Sequence, residues 1–258
     1  MEGTKLRRNQ RYGWLPDLPD RRDWVYRAMP ATTRRLPARA DLRRGCSPVE
    51  NQGNLSSCTA QALAGAVEYL DVRNGGGFTD ASRLFIYFNE RVMTRTVTAD
   101  SGGMLRDGIK SLAKSGVCDE ELWSYDIARF RLKPSAACYR DAADRKITSY
   151  HRILDVSGMK SCLAEGFPFV FGFTVYASFE SPAVARTGAV GMPGKRERAL
   201  GGHAVMAVGY DDGARRFIVR NSWGTEWGIS GYFTMPYRYL ESRELADDFW
   251  TIRAGKGL

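Results

Sequence analysis

Residues 201–224 read Gly201-Gly202-His203-Ala204-Val205-Met206-Ala207-Val208-Gly209-Tyr210, Asp211-Asp212-Gly213, Ala214–Arg220 and Asn221-Ser222-Trp223-Gly224. Two apolar, β-branched or aromatic runs flank three turn residues, the pattern of a β-hairpin closed by a left-handed Gly. A loop at 211–213 sets His203 directly opposite Asn221 at the open end. Cross-strand partners there have Cβ atoms roughly 4.5–5.5 Å apart, so an Asn oxygen can accept one imidazole proton and leave the other ring nitrogen free. The plainer reading is a strand-end His and Asn satisfied by local backbone.

Outward from this hairpin, Phe169–Val175, Gly231–Pro236 and Phe249–Arg253 are further short strands, and the second half reads as an antiparallel sheet. Ser181–Gly202, rich in Gly and Pro and without period, reads as a long surface loop. Upstream the period is helical. Leu63, Ala66, Val67 and Leu70 mark one helix that stops at Asn74-Gly75-Gly76-Gly77. Asp80 is expected to cap a second helix carrying Leu84, Tyr87 and Phe88, and a third runs from Met104 to Gly116. Helices first and strands later indicate an α+β protein of two lobes, about 50–145 and 150–258, with a ligand cleft between them.

Cys58 opens the first helix behind Ser56 and Ser57, two candidate caps. A thiolate there faces the positive end of the helix dipole, so its pKa is expected to fall, which makes Cys58 a candidate nucleophile. The alternative is a small buried core residue.

These three segments together resemble the papain family of cysteine peptidases, in the bacterial style of a short N-terminal extension. Gln52-Gly53-Asn54-Leu55-Ser56-Ser57-Cys58 resembles the family's Gln-Gly-x-Cys-Gly-Ser-Cys, His203-Ala204-Val205…Gly209-Tyr210 its histidine strand, and Asn221-Ser222-Trp223-Gly224-Thr225-Glu226-Trp227-Gly228…Gly231-Tyr232 its asparagine motif. The resemblance implies a papain-like fold and a Cys58, His203, Asn221 triad, with Gln52 and the Cys58 backbone N–H as oxyanion hole and Trp223 shielding the His203–Asn221 bond. It implies a peptide or protein substrate and a thioester intermediate, with no metal or cofactor. Asp100-Ser101-Gly102-Gly103-Met104-Leu105 resembles the family's Cys-Asn-Gly-Gly segment. Gly102 and Gly103 would then pair with a substrate strand, and Met104 and Leu105 would line an apolar pocket.

Leu55 and Asp100 stand where the family has two bridged cysteines, so Cys46, Cys118, Cys138 and Cys162 are expected to be thiols. Thr59 replaces the aromatic that usually follows the nucleophile, the one feature favouring a papain-fold binding or regulatory protein with weak or no catalysis. His151 matches no motif and is expected to be structural.

The chain has 258 residues, 43% hydrophobic and 26% charged, values of a globular protein. No apolar run suits a signal peptide or a membrane span, so the encoded protein is expected to be cytoplasmic. Residues 1–35 hold nine basic and four acidic residues of a chain with net charge +9. The charges are interleaved with Pro and acids, which argues against nucleic-acid binding. These residues read as an extended arm anchored by Trp14, Leu15, Trp24 and Tyr26, ahead of a peptidase domain at 36–258. The family carries its inhibitory pro-segment there, and Trp14–Tyr26 is expected to lie near or across the cleft.

Overall fold

A computed structural model describes residues 12–29 and 36–255. Lys5, Arg7, Arg8, Arg11, Arg34 and Arg35 of the basic arm lie outside the described residues.

The first half is helical. Helix α1 (Cys58–Arg73) is followed by α2 (Arg83–Thr94), α3 (Leu105–Ser115) and the short α4 (Ala136–Ala142). Every residue of α1 from Cys58 to Asp71 is buried, as expected of a helix wedged between two layers. α2 and α3 pack against it and against each other. The cap of α2 is Ser82, whose hydroxyl accepts from the Phe85 N–H at 3.2 Å, and not the expected Asp80.

The second half is one antiparallel sheet with strand order β2-β7-β3-β4-β5-β6. The strands are β2 (Ile147–Arg152), β3 (Phe169–Tyr176), β4 (Ala199–Asp211), β5 (Arg216–Arg220), β6 (Tyr232–Pro236) and β7 (Ala246–Ala254). β1 (Arg39–Asp41) comes from the other end of the chain and pairs with the last residues of β4. Among the described residues the sheet is open and does not close into a barrel.

Alternation along β4 divides the core. Ala204, Met206 and Val208 join the cluster around α1, while Val205 and Ala207 join a second cluster with Phe169, Phe171, Phe173, Phe217 and Phe233. Burial on both faces is why β4 reads as a continuous apolar run from Ala204 to Val208. α5 (Val156–Ala164) and α7 (Tyr237–Glu241) pack on the second face. The expected loop 181–202 contains α6 (Pro182–Thr187), capped by Ser181 with Pro182 at its first position, and it ends in the first residues of β4.

The β4–β5 hairpin differs from its expected form. Asp211 pairs with Arg216, so the loop has four residues, 212–215, and the left-handed residue is Arg215 (φ 52°) in place of Gly213. A further shift between Ala207 and Gly209 leaves Met206 opposite Arg220. His203 therefore has no direct partner in β5, whose last residue is Arg220.

Candidate active site

Cys58 occupies the first helical position of α1. Neither Ser caps this helix through its side chain. The Ser57 hydroxyl meets the Tyr125 hydroxyl at 2.6 Å, and Ser56 bonds Asp100 through its N–H (3.0 Å) and its hydroxyl (3.1 Å). Asp100 also accepts from the Tyr87 hydroxyl. A carboxylate thus ties the nucleophile loop to α2 where the family resemblance leads one to look for a disulfide. All five cysteines are thiols.

His203 is fully buried in β4, and its Nε2 meets Asn221 Oδ1 at 2.8 Å. Asn221 lies one residue beyond β5, so the pair meets past the end of the hairpin and not as cross-strand partners. The same Asn221 oxygen accepts from the Ser222 N–H at 2.9 Å, which turns the amide toward the ring. His203 Nδ1 makes no hydrogen bond. Trp223 stacks on the imidazole at 5.1 Å, with 29° between planes, and is 3% exposed. Phe173 closes another side.

Gln52 is fully buried, its Oε1 accepting from Ser222 Oγ at 2.7 Å and its Nε2 donating to the Leu55 carbonyl at 2.9 Å. Ser222 therefore orients two site residues at once. The sequence pattern does not mark Ser222, because the partner of its hydroxyl, Gln52, lies 170 positions away.

The Cys58 thiol lies against the backbone N–H groups of Ala204, Gly13 and Thr59. Burial nevertheless pushes its pKa up to about 11, with the negative charge of Glu90 adding to the rise. Burial likewise pulls His203 down to about 4, partly offset by its bond to Asn221. The expected lowering of the Cys58 pKa does not hold in this arrangement: desolvation outweighs the helix terminus, and at neutral pH both groups are uncharged.

Residues 12–15 lie beside this pair. The Gly103 N–H donates to the Gly13 carbonyl at 2.8 Å, the Leu15 N–H to the Gly103 carbonyl at 3.0 Å, and the Trp14 N–H to the Gly202 carbonyl at 2.9 Å. Trp14 and Gly103 form a parallel bridge. The Tyr12 ring stands edge-on to His203, and its hydroxyl donates to Glu180. Leu15 and Trp24 are exposed at 42% and 73%, so these expected anchors do not hold the segment. Trp14, 8% exposed, does, together with Tyr26, whose hydroxyl donates to Glu165 at 2.7 Å.

A Cβ on Gly102, which has φ +73°, would come within 2.1 Å of the Gly13 carbonyl oxygen, and one on Gly103 within 2.6 Å of the Glu90 carboxyl. Glu90 is buried and accepts from the Thr59 hydroxyl at 2.7 Å. Thr59 thus has a polar partner where the resemblance leads one to look for an aromatic. Leu105 is buried in the same apolar cluster as Trp14, and Met104 is half-buried. His151 lies in β2 at the sheet edge, opposite Thr251. No group of three or more His, Cys, Asp or Glu suited to a metal ion occurs among the described residues. No helix there is long and apolar enough to cross a membrane.

The sequence model described as "Papain family cysteine protease" matches residues 36–248. An uncharacterized peptidase C1-like protein of Acanthamoeba polyphaga mimivirus is 40% identical over 280 residues, covering 98% of this chain and 89% of that one. Xylellain, a cysteine protease from Xylella fastidiosa, has a crystal structure that superimposes with a TM-score of 0.89 at 43% identity, covering 96% and 97% of the two chains. Cysteine proteinase 2 of Zea mays is 27% identical over 214 residues, and the match spans 55% of that longer protein.

Proposed function

This chain belongs to the papain family of cysteine proteases and is a cysteine peptidase. From that premise we propose that Cys58, His203, Asn221 and Gln52 form its catalytic apparatus, and that residues 12–26 hold it inactive as a zymogen-like arm.

Once the arm is displaced, water and substrate restore a polar surrounding, and the Cys58 proton passes to His203 Nδ1. The thiolate attacks the carbonyl carbon of the scissile peptide. The resulting oxyanion takes hydrogen bonds from the Gln52 amide and the Cys58 N–H, a contribution of about 10²–10³ in rate per donor. The imidazolium then returns its proton to the leaving amine as the C–N bond breaks and a thioester remains. Water, deprotonated by the ring, hydrolyses the thioester and regenerates the thiol. Asn221 keeps Nε2 engaged throughout, so that Nδ1 is the nitrogen that exchanges the proton. Gly102 and Gly103 offer backbone to an extended substrate, and Met104 contributes to an apolar pocket, consistent with endopeptidase action.

The observation that carries this reading is the 2.8 Å contact of His203 Nε2 with Asn221 Oδ1, which leaves Nδ1 without a hydrogen bond on the strand that flanks the Cys58 thiol. The neutral, covered Cys–His pair is what a binding protein on this fold would also have. An epoxide or iodoacetamide probe separates the two: labelling concentrated at Cys58 in a Trp14→Ala chain, with turnover of a dye-releasing peptide lost in Cys58→Ser, supports the peptidase. Slow, uniform labelling of all five thiols supports the binding protein.

A further inference from the structure

Beyond Trp14, the arm meets a second built site. The Asp17 side chain is completely buried, and three donors from three elements converge on it. Trp250 Nε1 of β7 donates to Oδ2 at 2.8 Å, the Arg152 guanidinium of β2 to the same oxygen at 3.1 Å, and the Arg106 N–H at the start of α3 to Oδ1 at 3.1 Å. Next to them Asp248, 2% exposed and held at φ 57°, accepts from Trp14 Nε1 at 3.1 Å and from the Asp17 N–H at 2.7 Å. Asp248 is itself fixed by Arg152 at 3.1 Å. Asp248 thus takes up the donors of the segment, and Trp250, Arg152 and Arg106 take up its carboxyl group.

We propose that Trp250, Arg152 and the Arg106 N–H form a carboxyl-recognition subsite of the cleft, which, when the arm has left, binds an aspartyl side chain of a peptide supplied in trans. This rests on the reading that residues 12–26 fill a peptide-binding cleft. The donors belong to the folded domain, so they stay in place when Asp17 departs, and a buried donor without an acceptor is unfavourable. An acidic peptide restores all three bonds. An asparagine cannot: both oxygens of a carboxyl group can accept whether or not it is protonated, whereas the amide nitrogen accepts nothing, so at least one receptor donor faces another donor. Asp17 follows Trp14 by three positions, and Pro16 between them has its φ preset.

The test is a binding measurement without chemistry. The full chain carrying Trp14→Ala, Asp17→Ala and Cys58→Ala is titrated against a fluorescein-labelled peptide of residues 12–29, and against the same peptide with Asp17→Asn. The expected result is at least tenfold weaker binding of the second peptide, with the gap narrowing below threefold when Trp250→Phe removes one donor from the protein. Equal affinities for the two peptides, or no binding of the first, would overturn the proposal. Because the comparison is between two peptides on one protein, misfolding cannot imitate a preference for the first, and a cooperative urea-unfolding transition of the triple variant shows that it is folded. Failure of the peptidase reading would show separately, in the thiol-labelling experiment.

Discussion

Trp14 donates its indole N–H to the Asp248 carboxylate at 3.1 Å across 234 positions of sequence, the longest-range side-chain bond made by residues 12–29. Trp14 also covers Gly172 and Gly202, where a Cβ would come within 1.9 and 2.5 Å of its atoms. Removing a buried aromatic of this size costs about 3–5 kcal/mol of the state that buries it. Trp14→Ala in the full chain should therefore raise turnover of a dye-releasing peptide at least tenfold. Unchanged kcat/KM would count against the arm as an inhibitor.

The arm should be held more tightly in acid. Burial, and then the charge of Asp248, raise the Asp17 pKa from 3.8 to about 7. The groups around it are Asp23 on the arm, Asp247 and Asp248 on β7, Arg152 on β2 and Arg106 on α3. A carboxyl whose pKa is higher in the closed state binds a proton on closure. Its contribution is complete below the pKa of the free arm and is lost as pH climbs through 7. Limited proteolysis of the arm should accelerate between pH 5.5 and 8 in the native chain, and the acceleration should flatten in Asp17→Asn. A parallel pH dependence in the two proteins would exclude Asp17 as its origin.

Asp100 should contribute to stability in place of the missing disulfide. It accepts from the Ser56 N–H, the Ser56 hydroxyl and the Tyr87 hydroxyl, and bonds to a charged acceptor contribute about 1.5–3 kcal/mol each, not additively. Asp100→Ala is expected to lose about 2–4 kcal/mol in urea unfolding, without a change in the slope of free energy against denaturant. A loss below about 0.5 kcal/mol would show that the loop is held by other contacts.

Glu90 should make the fold less stable at alkaline pH. Burial raises its pKa from 4.5 to about 8, opposed by the Thr59 hydroxyl bond and the Arg91 charge. The group is protonated in the folded state at pH 7, so its contribution is full below the unfolded pKa and disappears as pH rises through about 8. In Glu90→Gln the drop in unfolding free energy between pH 6 and pH 9 should be smaller than in the native chain. An identical drop would assign the pH dependence to other buried acids, Glu68 among them, whose pKa is pushed up to about 7 by burial.

Much of the fold could be read from local pattern. α1 and α3 end within a few residues of the Gly stops, α2 carries the expected Leu84, Tyr87 and Phe88, and five strands fall where β-branched and aromatic runs lie. Residues 118–165 show a mixed pattern because their elements, α4, β2 and α5, are six to nine residues long, too short for a period to stand out. The caps failed for a related reason. Ser56 and Ser57 are attractive N-caps locally, but Asp100 and Tyr125, distant in sequence, bind them instead.

The order and types of the residues, by themselves, determined which side chains make up the candidate site: a Cys opening a helix, a His on a buried strand, an Asn before a Ser-Trp pair. How His203 and Asn221 meet was decided in three dimensions. The loop lengthened by one residue and a shift inside β4 moved the register away from the direct pairing that local reasoning assigned, because register answers to the packing of both sheet faces and not to turn residues alone. The charge state of Cys58 and His203 was likewise beyond the sequence. It depends on how much water reaches them, and that is set by where Gly13 and Trp14 come to rest, through bonds to Gly103, Gly202 and Asp248 that no local pattern announces.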